Sequence, residues 1–142
     1  MVNESRIAIY NYLKPLFAGV TGNIYSMRVP AENTEDDVTN GFLVIEVGNI
    51  RDASEFDLNA YAAVRCFVSV YVPQKNRGRL DEQRYAYFED GVIAAIRAEI
   101  DSPSSETYSI ESDGILSMDD EEETNKGNQY SVFVKSFIVT IN

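Results

Sequence analysis

Few residues in this chain could do chemistry on their own. There is no His among its 142 residues, which removes the commonest general base and the commonest metal ligand. The single Cys, Cys66, lies on the apolar side of an alternating segment, where a thiol reads as a small buried hydrophobe. Neither Cys66 nor any Ser has an imidazole partner for nucleophilic attack, and no Ser-x-x-Lys pattern stands on a helix. Gly19 and Gly22 lack the following Gly and Lys of a phosphate-binding loop. With one Cys no intramolecular disulfide forms, so the fold does not depend on oxidation.

The acids and bases offer more. Glu46, between Ile45 and Val47, would be a candidate proton carrier if buried; the stronger expectation is a sheet edge or pairing with a neighbouring Arg. Asp113, Asp119, Asp120, Glu121, Glu122 and Glu123 supply oxygens of the kind Ca²⁺ and Mg²⁺ prefer. Consecutive acids do not give the alternating spacing of an EF-hand, so the run is expected to be a solvated loop. No metal site, cofactor or catalytic residue is predicted. Lys75, Arg77, Arg79 and Arg84 form the one basic cluster. It is small for nucleic acid and has no interleaved aromatics. Its natural mates are the acids Glu35, Asp36 and Asp37 and the run at 119–123. They could meet within one chain, or across a head-to-tail contact between identical subunits.

Net charge is −11, unevenly spread. Residues 1–97 hold 13 acids and 10 bases, while residues 98–142 hold 10 acids against Lys126 and Lys135. Such a surface repels nucleic acid, because binding to phosphate needs clustered Lys and Arg. No apolar run approaches the ~20 residues that span a bilayer. The first residues lack the basic and apolar regions of a signal peptide, so a protein made or assembled in a cytoplasm is expected. The length suits one domain, residues 1–142.

These residues must be positioned by the elements that periodicity predicts. Residues Glu4 to Phe17 carry an apolar row of Ile9, Leu13 and Leu16, widened by Ile7, Tyr10 and Phe17, with Asn3 or Ser5 as cap and Pro15 distorting or ending the helix near Lys14. A short strand follows at 23–29, ended by Pro30. Residues 31–40 read as a polar loop. Gly41 to Val47 is a strand apolar on both faces, and 48–59 a polar connection. Tyr61 to Val72 alternates without a break, placing Ala62, Val64, Cys66, Val68, Val70 and Val72 on one face. Asp81 caps a second helix whose apolar stripe is Tyr85, Phe88, Val92, Ile96 and Ile100, and Pro103 forbids its continuation. Thr107 to Met118 is a strand interrupted at Asp113-Gly114, and 119–129 has no regular pattern. Tyr130 to Ile141 closes the chain as a strand with Tyr130, Val132, Val134 and Ile138 on one face and Phe133, Phe137, Val139 and Ile141 on the other, Lys135 among them. The class is α+β: a single mixed or antiparallel sheet packed by two α-helices, in the order α-β-β-β-α-β-β.

This layout resembles the tail terminator and tail-completion proteins of long-tailed bacteriophages. The resemblance rests on Ile24-Tyr25 to Pro30 after the first helix and on Phe42-Leu43-Val44-Ile45. It rests also on Val68-Ser69-Val70-Tyr71-Val72 leading through Arg77-Gly78-Arg79 into the second helix, and on Tyr130 to Val134 followed by Phe137-Ile138-Val139. It covers nearly the whole chain but lies in pattern and order, with no diagnostic motif. It implies a non-enzymatic virion protein, a tail-terminator-like domain over 1–142. Such a protein forms a ring, often a hexamer, that caps the tail tube and joins tail to head. The implied partners are copies of itself, a tube protein and a neck protein. DNA passes through the lumen without specific binding, and an acidic lumen suits that passage. The long 31–40 loop and the acidic 119–123 run depart from the pattern. The alternatives are another neck or head-closure component and a cellular α+β protein-binding module.

Overall fold

The computed structural model describes residues 2–28, 33–56, 60–75, 79, 81–111, 117–121 and 130–142, with side chains described except at 2–5, 56 and 117–121. Its elements in chain order are α1 (Val2–Phe17), β1 (Ile24–Ser26), α2 (Glu35–Asn40), β2 (Phe42–Val47), β3 (Arg51–Asp52), a 3₁₀ turn (Ala53–Phe56), β4 (Ala62–Pro73), α3 (Glu82–Asp101), β5 (Tyr108–Ile110), β6 (Ser117–Glu121) and β7 (Tyr130–Ile141). The strands form one mixed sheet, ordered β1-β2-β4-β7-β5, with β3 beside β4 and β6 beside β7. Among the described residues only β1–β2 is parallel; the remaining pairs are antiparallel. The fold is α+β, as the order of periods predicts.

The two long strands form the centre. β4 and β7 pair over their full length, from Ala62 opposite Ile141 to Pro73 opposite Tyr130. Val64, Cys66, Val68, Val70 and Val72 face the helices, where they meet Phe133, Phe137 and Val139 of β7 and Leu43, Ile45 and Val47 of β2. Helix α1 contributes Ile9, Leu13 and Phe17 to this core, and α3 contributes Phe88, Val92 and Ile96. Burying aliphatic and aromatic side chains from both layers removes apolar surface from water, at about 25 cal/mol per Å². Lys135 lies on this same side, only 2% exposed, opposite Val68 in β4 and Met118 in β6.

Several boundaries differ from the sequence expectation. Helix α1 begins at Val2 and runs through Pro15 to Phe17. Asn3 and Ser5 therefore lie within it rather than at its cap. Pro15 costs one backbone bond near the end, but Leu13 and Phe17 are fully buried and that packing carries the last turn onward. Ile7 is 59% exposed, so the apolar row is narrower than predicted. Strand β1 stops at Ser26 because Met27 takes φ 72°, a left-handed conformation that breaks an extended run. Pro30 lies outside the described residues.

The segment expected as a polar loop at 31–40 contains α2, and the 48–59 connection contains β3 and the 3₁₀ turn. The sheet thus has a third, short helix beyond the two predicted, and more strands. Strand β6 likewise takes up part of the segment expected to have no regular pattern. It and β5 lie along the same side of β7: six residues separate Ile110 from Ser117, while only two separate the facing Val139 and Ser136. That excess interrupts one edge strand, as expected around Asp113-Gly114, although residues 112–116 lie outside the described ones. Asp81 caps α3 as predicted, its side chain accepting from the Arg84 backbone N–H at 3.1 Å. Among the described residues no helix is long and apolar enough to cross a membrane.

Candidate functional site

The sequence singled out a basic cluster and an acidic one, and the structure brings part of each together within one chain. In α2, Asp36 accepts from Asn40 Nδ2 at 2.6 Å and from Asn23 Nδ2. Asn40 Oδ1 in turn accepts from Arg84 Nη2 at 2.8 Å. These amide donors, with the Arg84 charge as a lesser cause, hold the Asp36 carboxyl below its ordinary pKa. Arg84 thus ties the start of α3 to α2 instead of standing free for a neighbour.

The other predicted residues separate. Lys75 and Arg79 are both exposed and are joined through the backbone, Lys75 N–H donating to the Arg79 carbonyl at 2.7 Å. Arg77, between them, lies outside the described residues. Glu35 is exposed in the first turn of α2. Asp37 is fully buried and is no surface residue, which reduces the expected acidic patch to Glu35 and Asp36.

Asp37 owes its position to local sequence. Thr34 caps α2, accepting from the Asp37 N–H at 3.1 Å, while the Asp37 carboxylate accepts from the Thr34 N–H at 3.1 Å. This reciprocal capping box satisfies two otherwise free donors at the helix start. It also turns the carboxylate inward, where Oδ2 accepts from the Tyr25 hydroxyl at 2.6 Å. Burial, then that bond to Asp37, raises the Tyr25 phenol to about 12. Below lies an aromatic cluster on the side of the sheet away from α1 and α3. Phe42 stacks on Tyr71 at 4.6 Å and meets Tyr130 edge-on at 5.3 Å. Gly41 lets the chain leave α2 tightly over this cluster. Its φ is 92°, and a Cβ there would come within 2.6 Å of the Tyr71 carbonyl oxygen.

A second buried carboxylate, Glu99, is fully employed. It accepts from the Tyr12 hydroxyl at 2.6 Å and from the Ser104 N–H and hydroxyl at 3.0 and 3.1 Å, joining α1 to the chain that leaves α3. Glu46 is exposed on β2 opposite Phe67, so it is no buried proton carrier. Cys66 is fully buried, and that burial pushes its thiol up to about 12, against the thiolate a nucleophile needs. Among the described residues no group of three or more His, Cys, Asp or Glu stands where one metal ion could be shared. In the acidic run, Asp119, Asp120 and Glu121 belong to β6 rather than to a loop, while Asp113, Glu122 and Glu123 lie outside the described residues.

The sheet ends are the remaining surface of note. Arg6 donates twice to the Val47 carbonyl, at 3.1 and 2.8 Å, and with Ile7, Ser26 and Met27 lines an open cavity of about 250 Å³ beside β1. Met27 is 40% exposed, and Arg28, also exposed, follows it. The far end of the sheet is β5 and β6, the latter carrying three acids in five residues. Sequence reasoning missed Asn23, Tyr25 and Asn40 as partners of the acidic segment. The Thr34-x-x-Asp37 spacing was the available signal for α2; nothing local marked the others.

No known family model matches this chain, and no curated protein matches it.

Proposed function

We propose that this chain is a non-enzymatic structural subunit of a phage virion that closes head-to-tail into a ring, expected to be a hexamer, at the end of the tail tube, joining tail to head. The observation that carries this reading is an open sheet whose two ends differ in character. The β1 end presents exposed apolar side chains with Arg28 beside them, and the β6 end is acidic in sequence. Open strand edges favour pairing with another chain, and unlike edges favour a heterologous contact, which repeats around a closed ring. The charge of −11 suits a lumen through which DNA slides without adhering. The contacts first expected from Lys75, Arg79 and Glu35 remain available to a tube or neck protein, whereas Arg84 and Asp36 are engaged within the chain.

Sedimentation velocity over a range of protein and salt concentrations tests the ring. The expected result is a single closed oligomer that weakens at high salt and weakens further in Arg28→Glu. Electron microscopy of the chain mixed with tail tubes of the virus that encodes it should show a cap at one tube end. A monomer or two-fold dimer that leaves those tubes uncapped would overturn the reading, favouring a cellular binding module.

A further inference from the structure

Strand β1 stops before its ladder with β2 is complete. The Leu43 N–H donates to the Asn23 carbonyl, and the Met27 N–H to the Ile45 carbonyl. In a parallel pair such bonds come from alternate residues. Residues 23, 25 and 27 therefore spend their backbone groups on β2, while Ile24 and Ser26 turn theirs away from it. Met27 then bends the chain at φ 72°, and the Arg28 N–H closes a three-residue turn on the Ser26 carbonyl at 2.9 Å. Val47, next along β2, meets side chains where a strand would continue. Its N–H donates to Met27 Sδ at 3.4 Å, and its carbonyl accepts from Arg6. What faces outward is the Ile24 N–H and carbonyl and the Ser26 N–H, with the cavity of Arg6, Ile7, Ser26 and Met27 at the strand's end. Among the described residues neither Arg6 nor Arg28 forms an ion pair.

The far end of the sheet carries the complement. Strand β6, Ser-Met-Asp-Asp-Glu in sequence, pairs with β7 alone among the described strands. Its direction relative to β1 can be counted across the sheet. β6 is antiparallel to β7, β7 to β4 and β4 to β2, while β1 is parallel to β2, so β6 and β1 run oppositely. Rotation about an axis along the strands keeps those directions. We propose that the junction between copies is main-chain pairing: β6 of one copy adds antiparallel to the outer edge of β1 of the next, so that one sheet runs round the ring. Strand addition draws affinity from backbone bonds and specificity from side chains, and here three acids meet Arg6 and Arg28. The antiparallel sense is also the more stable pairing per residue. This junction rests on the ring proposed above and names the surfaces that would close it.

Two variants of the full chain test it by sedimentation velocity. Ser26→Pro deletes the outward N–H but leaves the β1–β2 bonds, which come from other residues; proline is tolerated at such an edge position. Replacing Asp119, Asp120 and Glu121 by Lys reverses the charge of β6. Each variant alone should sediment as a monomer, whereas Ser26→Ala, which keeps the N–H, should close like the unsubstituted chain. Mixed, the two variants should form a 1:1 dimer that grows no further, because one intact β6 meets one intact β1. In the closed oligomer, hydrogen exchange at the Ile24 and Ser26 amides should slow by about tenfold or more against the monomer. If both variants still close, the junction is wrong and the ring stands. If both melt like the unsubstituted chain yet their mixture stays monomeric, the pairing is likewise overturned. An unsubstituted chain that never closes overturns the ring and this junction together.

Discussion

The two faces of the sheet are built differently. The helix side is largely aliphatic: a row of valines and Cys66 on β4 between Leu43, Ile45 and Val47 and the phenylalanines of β7, closed by α1 and α3. The opposite side is aromatic and polar at one end. There Phe42, Tyr71 and Tyr130 pack ring against ring, and a buried carboxylate sits above them under a helix of six residues. The first face is held by area, which many side chains share. The second depends on a few oriented contacts, each with a particular partner. Loss of one side chain should therefore act through cavity volume on the helix side and through geometry on the other.

The largest effect should come from Phe137→Ala, which empties part of the helix-side core and should cost about 3–5 kcal/mol in urea unfolding. A cost no larger than that of Val44→Ala on the opposite face would erase the distinction. Gly41→Ala comes next. A methyl group there meets the Tyr71 carbonyl and must take a left-handed φ, so about 2–3 kcal/mol is expected, accompanied by altered near-ultraviolet tyrosine dichroism. Thr34→Ala removes the cap that aims Asp37 inward and should cost about 1 kcal/mol; no change would mean that α2 is held by Tyr25 and Arg84 alone.

At neutral pH the smallest effect belongs to the raised thiol and phenols. Cys66, Tyr10, Tyr12, Tyr25 and Tyr130 all hold their protons more tightly when folded, burial being the first cause. A raised folded pKa contributes stability that is complete below the unfolded value and declines as pH climbs through the gap. Stability should thus be flat near pH 7 and fall from about pH 9 upward. Cys66 should resist a thiol reagent at pH 8 unless the chain unfolds. Prompt labelling in the native state would show that the helix-side core opens readily.

Much of this was legible in particular residues. The alternation from Ala62 to Val72 and the two-sided apolar pattern from Tyr130 to Ile141 predicted the two central strands, the first buried chiefly on one face and the second on both. That they pair with each other was not legible. The stripe from Phe88 to Ile96, capped at Asp81, predicted α3. Helix α2 escaped because six residues are too short to show a period, and its acids resemble a solvated loop. Of the expected interface, Arg84 and Asp36 are joined to each other through Asn40. Sequence distance conceals such a contact, since nothing near residue 36 announces that residue 84 will be beside it.

The chain's own pattern determined its class, its central strands, its long helices and the poverty of its catalytic inventory. Those properties follow from local periodicity and residue type, which act over a few neighbouring positions. Only the tertiary structure decided that Asp37 is buried while Asp36 is not, that β5 and β6 share one edge of β7, and that Arg84 is engaged. These depend on which segments the sheet brings side by side, and that is set by packing summed over the whole chain.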